Sequence, residues 1–236
     1  YKLDDGDYVV MTETSPGVYK AEIDVSSISE GIHTVWAKAE DLAGNVNSNQ
    51  NATFVVDRTP PQVDEPIAQD NVVRSTFEFT VNVTDDNLAH VKYTIDGGQN
   101  KMSMNPTGNN TYKGIINIPV QKLGEGEHTV RIYASDKAGN VNSDRTLTFE
   151  VDKSSPMITI TSPNATFVTT NYTLTFTVED AHLSSLGYKR EGEDTVYPIE
   201  ISGTEYSIDL DTSSWIDNQY TIIVVAEDLA DNYAEA

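Results

Sequence analysis

One seven-residue phrase occurs three times in this chain, and its spacing constrains the fold more than any other feature. The copies are AEDLAGN at 39–45, ASDKAGN at 134–140 and AEDLADN at 226–232. Their aspartates are separated by 95 residues (41 to 136) and by 92 residues (136 to 228). This period is too long for a solenoid repeat, but it suits one β-sandwich domain of about 100 residues. Each copy therefore marks a whole domain, which we call a module.

The segments around the phrase predict the module boundaries. The first two copies continue into strand-like runs that end in Val-Asp, at 51–57 and 145–152, whereas no such run follows the third copy. A full set of strand-like runs precedes the second copy. We therefore expect three modules: 1–58 is the C-terminal part of one, 59–153 is complete, and 154–236 lacks its last strand.

The complete module is predicted to consist of short alternating strands. In Phe77–Thr84 every second residue is apolar, beginning at Phe77, and an acidic turn follows. The run Ala89–Ile95 alternates in the same way and stops at Asp96-Gly97-Gly98, a strong turn signal. No long window keeps a helical period. The sequence therefore predicts an all-β chain of antiparallel β-sandwiches.

The order of these motifs resembles a known module type. A Val-x-Ala or Val-x-Val strand leads into Asp-x-Ala-Gly-Asn, and the next strand ends in Val-Asp-x-x-x-Pro. This pattern resembles tandem immunoglobulin-like or fibronectin III-like modules, which are frequent in secreted and surface-layer proteins of archaea and bacteria. The resemblance covers nearly the whole chain and implies tandem immunoglobulin-like β-sandwiches. The third copy departs from the pattern, because Asp231 stands in place of glycine.

The composition excludes several classes of protein. The net charge of −22 repels nucleic acid and anionic lipid, so no nucleic-acid partner is expected. Cysteine is absent, which excludes disulfides and thiol chemistry. No run approaches the ~18 apolar residues that a membrane span requires. The segment is therefore expected to lie outside the membrane, and a signal or an anchor elsewhere in a longer protein is compatible with that.

An immunoglobulin-like topology predicts two clusters of oxygen ligands, one at each junction between modules. The first should gather Asp57, Asp85, Asp86, Asp136 and Asn140, and the second Asp152, Glu179, Asp180, Asp228 and Asn232. Clustered carboxylates repel one another unless a cation lies between them, and oxygen ligands without His or Cys favour Ca²⁺. The alternative is a plain hairpin turn, in which Asp binds a backbone N–H two residues on and Gly takes the left-handed conformation. The sequence leaves both open.

Five asparagines stand in Asn-x-Ser/Thr sequons and are candidate glycosylation sites: Asn51, Asn82, Asn109, Asn164 and Asn171. Strand alternation predicts that Asn51, Asn82 and Asn171 point toward solvent, which suits glycans on an exported protein. The alternative is that these three are ordinary polar residues on the outer faces of strands.

Three apolar side chains are predicted to form contacts on outer faces. In the run 220–226 alternation places Ile223 and Val225 outward, and we expect this pair to meet another chain or module. The alternative is two scattered surface aliphatics. Trp36 also points outward, and with Trp215 it is a candidate either for binding carbohydrate or for packing against a neighbour.

No catalytic pattern is found, so an enzyme is not expected. The sequence lacks Gly-x-Ser-x-Gly, His-Glu-x-x-His and a phosphate-binding glycine loop, and His33 and His128 resemble aromatic plugs at matching strand starts. The leading expectation is a structural segment of a surface layer, filament or stalk, whose partners are neighbouring modules and copies of the same protein. The rivals are adhesion or carbohydrate-binding modules, and accessory modules of a secreted hydrolase.

Overall fold

A computed structural model describes residues 1–164 and 167–236 of the chain. The first module contributes five strands: β1 (Lys2–Leu3), β2 (Thr12–Ser15), β3 (Val18–Lys20), β4 (Gly31–Glu40) and β5 (Val46–Val56). Strands β1, β4 and β5 form one sheet in that order, while β2 and β3 form a separate hairpin. Both pairings within the sheet are antiparallel.

The middle module contains eleven strands and one short helix. They are β6 (Gln62–Val63), β7 (Ile67–Ala68), β8 (Val72–Val73), β9 (Thr76–Thr84), β10 (Leu88–Ile95), β11 (Met102–Ser103), β12 (Asn105–Gly108), β13 (Thr111–Asn117), α1 (Ile118–Gln121), β14 (Gly126–Asp136), β15 (Val141–Asn142) and β16 (Thr146–Val151). One sheet has the order β11-β10-β14-β16-β8, with β15 also on β14, and the other has the order β12-β13-β9-β6, with β7 also on β9. Strand β8 runs parallel to β16, whereas β13 pairs with β9 antiparallel.

The third module repeats this plan with seven strands. They are β17 (Met157–Ile160), β18 (Asn171–Glu179), β19 (Leu183–Arg190), β20 (Tyr197–Pro198), β21 (Glu205–Asp211), β22 (Ile222–Asp228) and β23 (Tyr233–Glu235). Its two sheets have the orders β17-β18-β21 and β20-β19-β22-β23. Directly after the third phrase β23 pairs with Val225–Glu227 of β22, as β15 pairs with β14 after the second phrase, and the absence of a last strand equivalent to β16 stays a prediction. A strand of three residues is too short to give a period-two signal.

The chain divides into two compact units. Unit 1 contains residues 1–63, 83–90 and 133–143, and unit 2 contains residues 64–82, 91–132 and 144–236. Unit 1 therefore combines the first module with three segments of the middle module: its start including β6, the turn after β9 and the turn after β14. The boundary between modules and the boundary between compact units do not coincide.

Alternation on β9 correctly predicted its buried face. Phe77, Phe79, Val81 and Val83 are buried, while Asn82 is exposed. Within unit 2 the rings of Phe77 and Phe149 are stacked with centroids 4.2 Å apart, and Phe79 meets Tyr93 edge-on. Such aromatic pairs add about 0.5–1.5 kcal/mol to the hydrophobic burial. The third module has an equivalent core, made of Leu174, Phe176, Val178, Leu186, Tyr206, Leu210, Val224 and Ala226.

On the outer face of the third module Val225 is 7% exposed and Ile223 is half-buried, and the predicted contact of this pair with another chain or module stays a prediction. In the sheet Val225 lies beside Gly187. A Cβ at Gly187 would lie 2.6 Å from Val196 Cγ1, so Val196 fills the space above this glycine. The outer face is therefore covered within the module, a contact that strand alternation does not report.

The two tryptophans are both half-buried. Trp36 lies on β4 opposite Lys2 and Asn51, and its contact role stays a prediction. The Arg190 guanidinium lies over the ring of Trp215 at 4.8 Å, and Tyr220 meets the same ring edge-on at 4.8 Å. Trp215 therefore packs against its own module.

Candidate metal centre

All three copies of the repeated phrase form the same hairpin turn. Asp41 Oδ1 accepts the N–H groups of Ala43 and Asn45, and Asp228 Oδ1 accepts those of Ala230 and Asn232. In the middle copy Asp136 Oδ1 accepts the N–H groups of Gly139 and Asn140. These bonds confirm the turn chemistry expected from the sequence.

The third residue after the aspartate has a left-handed backbone in each turn. Gly44 and Gly139 have φ of 82° and 96°, and Asp231 adopts φ of 62° at the equivalent position. Asp is one of the few residues besides Gly and Asn that tolerate this region. The turn therefore does not depend on glycine.

The first junction brings three carboxylates together in unit 1. One oxygen from each of Asp57, Asp85 and Asp136 lies within 4.8 Å of the other two. Asp57 follows β5, Asp85 follows β9, and Asp136 ends β14. Among the ion pairs of residues 1–164 and 167–236, none involves these three aspartates.

Two asparagines connect these carboxylates. Asn140 Nδ2 donates to Asp136 Oδ2 at 2.7 Å and to the Asp57 carbonyl oxygen at 3.1 Å. Asn87 Nδ2 donates to Asp57 Oδ2 at 2.9 Å, and its backbone N–H donates to Asp85 Oδ1 at 2.7 Å. Asn140 therefore holds ligand groups in place through its N–H₂ group, and its own role as a metal ligand stays a prediction.

Asp86 also lies outside this group of three, although the sequence predicted it there. It is exposed and lines a cleft of roughly 460 Å³ together with Asp57, Asp85 and Asn87. The cleft gives solvent and small ions access to the carboxylates.

The charge on Asp136 is maintained despite its burial, since only 4% of this residue is exposed. Burial acts to raise the pKa of Asp136, but hydrogen bonds from Asn140 and from the N–H of Gly139 outweigh it and hold the pKa below its usual value. Ionised carboxylates provide the hard oxygen ligands that Ca²⁺ takes at flexible geometry. The donor set of the first junction therefore fits Ca²⁺, with water completing the six to eight oxygens this ion requires.

The second junction is built differently, in unit 2. Asn232 Nδ2 donates to Asp228 Oδ2 and to the Asp152 carbonyl oxygen, as Asn140 does in the first junction. However, in the described parts of the chain no three metal-ligand atoms meet here within 4.8 Å. Of the predicted calcium set, the structure therefore does not group three of the carboxylates of Asp152, Glu179, Asp180 and Asp228, and Asn232 meets Asp228 through its N–H₂ group.

The physical reason is His182, which the sequence analysis did not include in the cluster. Its Nδ1 lies 3.0 Å from Asp152 Oδ2, and its Nε2 lies 3.2 Å from Glu150 Oε2. The imidazole thus pairs with the Asp152 carboxylate, while the Glu179 side chain is exposed. We assign no metal ligands at this junction.

Two glutamates that the sequence analysis missed fasten the linkers after β5 and β16. Glu30 accepts the Arg58 N–H at 2.9 Å and the Thr59 hydroxyl at 2.9 Å. Glu125 accepts the corresponding groups of Lys153 and Ser154 at 3.3 and 3.0 Å. The signal was available in the sequence, since Glu-Gly occurs at 30–31 and at 125–126, one module length apart.

The two matching histidines pack as the sequence indicated, but each also has an acidic partner. His33 and His128 lie beside Phe54 and Phe149, with ring centroids 5.7 and 5.6 Å apart. Their Nδ1 atoms lie 2.8 and 2.7 Å from carboxylates of turn aspartates: Asp4 for His33, and Asp96 for His128. The hydrogen bond to Asp4 raises the pKa of His33.

All five sequon asparagines are exposed. Asn82 Oδ1 accepts the Thr111 hydroxyl at 2.7 Å, and Asn109 lies at the β12–β13 turn with φ of 49°. The sequon of Asn164 includes residues 165 and 166, which lie outside the described residues. Glycosylation at these positions stays a prediction.

Across residues 1–164 and 167–236, no helix has the length and apolar character to cross a bilayer.

A comparison with protein families matches the middle module. Residues 64–153 match the family model of the bacterial Ig-like domain. Halomucin from Haloquadratum walsbyi is 24% identical over 157 residues, which are 66% of this chain and 2% of halomucin. The chain thus spans a small fraction of this relative's length.

Two solved structures are similar to this chain at low sequence identity. Fibronectin(III)-like modules of Clostridium thermocellum CbhA are 17% identical, with 75% of this chain and 90% of that chain covered and a TM-score of 0.43. A Ca²⁺-stabilized adhesin of an Antarctic bacterium is 17% identical, with 87% and 55% covered and a TM-score of 0.41. The match of residues 64–153 to the bacterial Ig-like domain model and the threefold repeat of the sequence phrase agree with a chain of tandem Ig-like modules.

Proposed function

We propose that this chain is a structural segment of an extracellular assembly, such as a surface layer, a filament or a stalk. The observation that carries this proposal is the repetition of one junction design. Asn140 and Asn232 both donate at 3.1 Å to the carbonyl of the aspartate that ends the preceding module. A chain that fastens successive modules in the same way acts through its length and stiffness.

The surface of the chain suits an extracellular location. The net charge of −22 keeps an exposed protein soluble and limits non-specific association. Five exposed sequon asparagines are available to carry glycans, and the chain does not depend on disulfides. The partners are neighbouring modules and other copies of the same protein.

Calcium stiffens the first junction in this proposal. Asp57, Asp85 and Asp136 would hold the ion, and its charge would offset the repulsion among three carboxylates. Because Asp57 belongs to the linker and the other two aspartates belong to middle-module loops, one ion connects the linker to the loops. The junction then resists bending that would separate its ligands.

Thermal unfolding of the full chain in EDTA and in millimolar Ca²⁺, at matched ionic strength, tests this proposal. A ligand that binds only the folded state at about 100 times its Kd stabilises by about 2.7 kcal/mol, so the melting temperature should be higher in Ca²⁺. Mg²⁺ at the same concentration should raise it less, because Mg²⁺ gives up its water reluctantly. Equal melting temperatures in EDTA and in Ca²⁺ would show that the junction is held by turns alone.

A further inference from the structure

Asn87 and His182 occupy equivalent positions in the two junctions. Asn87 accepts the Lys137 N–H through its carbonyl oxygen, and His182 accepts the Leu229 N–H in the same way, both at 2.9 Å. The backbone N–H of each residue donates at 2.7 Å to the aspartate two positions before it, Asp85 or Asp180. The backbone of the two loops is therefore the same, and the difference lies in the side chain.

The two side chains differ in the charge they can carry. Asn87 donates one neutral amide hydrogen bond to Asp57. His182 lies between two carboxylates, with Nδ1 at 3.0 Å from Asp152 and Nε2 at 3.2 Å from Glu150. The side chains of His182 and Asp152 are 21% and 12% exposed, so their interaction is only partly screened by water.

The charged groups around His182 are acidic. Glu150 on β16 and Asp152 after it contact the ring, while Asp180 lies two residues before it in the β18–β19 turn. Asp228, at the end of β22, acts electrostatically on Asp180. Nδ1 forms a hydrogen bond with Asp152, and Nε2 lies within ion-pair distance of Glu150. A protonated imidazole has an N–H on each nitrogen and therefore presents positive charge to both carboxylates.

We propose that His182 is the built-in cation of the second junction, so that a proton on its imidazole holds this junction where a divalent ion holds the first. The part of this statement that concerns the first junction rests on the proposed function. The part that concerns His182 rests on the ring geometry alone. The array then contains one metal-dependent junction and one proton-dependent junction.

The pKa directions agree with this arrangement. The hydrogen bond to Asp152 raises the pKa of His182 above its ordinary 6.5, and the charges of Glu150, Asp152 and Asp180 add to this rise. Burial raises the pKa of Asp180, and the charges of Asp228 and Asp152 raise it further. A group whose pKa is higher in the folded state stabilises the fold below its unfolded pKa and loses that contribution as pH rises through the folded value. The second junction therefore weakens from near-neutral pH upward.

NMR titration of the histidine ring nitrogens in the full chain tests the proposal directly. The signals of His182, assigned by their loss in His182→Asn, should keep the doubly protonated form to a higher pH than an ordinary histidine. Asp152→Asn should lower the titration midpoint by removing the Nδ1 carboxylate. A His182 midpoint at or below 6.5, or a ring that is neutral across about pH 6 to 8.5, would overturn the proposal.

Thermal unfolding gives a second readout. His182→Asn should lower the melting temperature near pH 6, and its difference from the natural chain should shrink toward about pH 8.5. The exposed His90 provides the matched control, since His90→Asn should leave this pH profile unchanged. A pH-independent difference for His182→Asn would mean that the ring acts by packing alone.

The same titration in the presence of Ca²⁺ separates this proposal from the one on the first junction. The His182 midpoint should be unchanged by Ca²⁺, because no metal is needed at the second junction. A melting temperature that does not change with Ca²⁺ would overturn the calcium proposal and leave the His182 result intact. Displacement of the His182 proton by Ca²⁺ would instead overturn the assignment of His182 as the cation.

Discussion

At the residue scale, the repeated phrase forms a turn in every copy, but only its middle copy also places an aspartate in the carboxylate cluster. The sequence of the phrase does not distinguish these two cases. Asp41 and Asp136 make the same turn bonds, but Asp41 is exposed while Asp136 is buried beside Asp57 and Asp85. The turn needs only the phrase itself. The cluster also needs residues from two other segments, so it is a property of the folded junction.

Replacing Asp136 by Asn should abolish the Ca²⁺-dependent rise in melting temperature, because one of three carboxylate ligands loses its charge. In EDTA the same change should cost only about 1 kcal/mol, the scale of one lost hydrogen bond to Asn140. The matched control is Asp41→Asn, which loses the equivalent bond to Asn45 but lies outside the cluster. Its response to Ca²⁺ should equal that of the natural chain, and an equal loss in both variants would contradict the assignment.

The second junction shows how one side chain changes the chemistry of a backbone arrangement that both junctions share. Asp57 and Asp152 follow the aspartate of the phrase at the same distance, and the acidic loop residues of both junctions were predicted from the expected immunoglobulin-like topology. The substitution of His182 for the equivalent of Asn87 was visible in the sequence too. Its importance was not, since a lone histidine in a loop gives no indication of which carboxylates will face its ring.

At the element scale, period-two alternation predicted the buried faces where a strand meets a core. It succeeded on β9, because both neighbouring layers follow from the sandwich architecture. It did not indicate that Val225, on the outer face of β22, is 7% exposed, with Val196 lying over the neighbouring Gly187. Alternation separates the two faces of a strand, but it gives no information on irregular segments that fold back over the outer face.

The position of Gly114 on β13 leads to a testable prediction at the same scale. Gly114 lies opposite Phe79 in the sheet, and a Cβ at this position would lie 2.2 Å from the nearest ring atom. Gly114→Ala must therefore displace a buried ring and should destabilise the chain by about 1–3 kcal/mol, read as a lower urea midpoint.

The control for this change is Gly124→Ala. A Cβ at Gly124 meets no heavy atom within 4 Å, and its backbone is not in the left-handed region. It should leave the urea midpoint close to that of the natural chain. If Gly114→Ala behaves like this control, the close approach of β13 to the Phe79 ring is not a tight contact.

At the scale of the whole molecule, the modules and the compact units divide the chain differently. The loops at 83–90 and 133–143 belong to the middle module by sequence but to unit 1 by contact. These two loops supply Asp85 and Asp136, and the linker supplies Asp57. The cation proposed for the first junction would therefore act where one module passes into the next. Sequence periodicity predicted the modules, whereas this division depends on loop contacts that have no periodic signal.

The most direct test of the account measures flexing at the first junction with and without Ca²⁺. The chain has no cysteine, so Gln50→Cys on β5 and Ser103→Cys on β11, both exposed positions, allow spin labels to be attached specifically. The width of the electron–electron distance distribution then reports the freedom between the labelled strands. We predict a narrow distribution in Ca²⁺, a broad one in EDTA, and a broad one under both conditions when Asp136→Asn is added. Distributions of the same width in Ca²⁺ and in EDTA would contradict the claim that a cation stiffens this array.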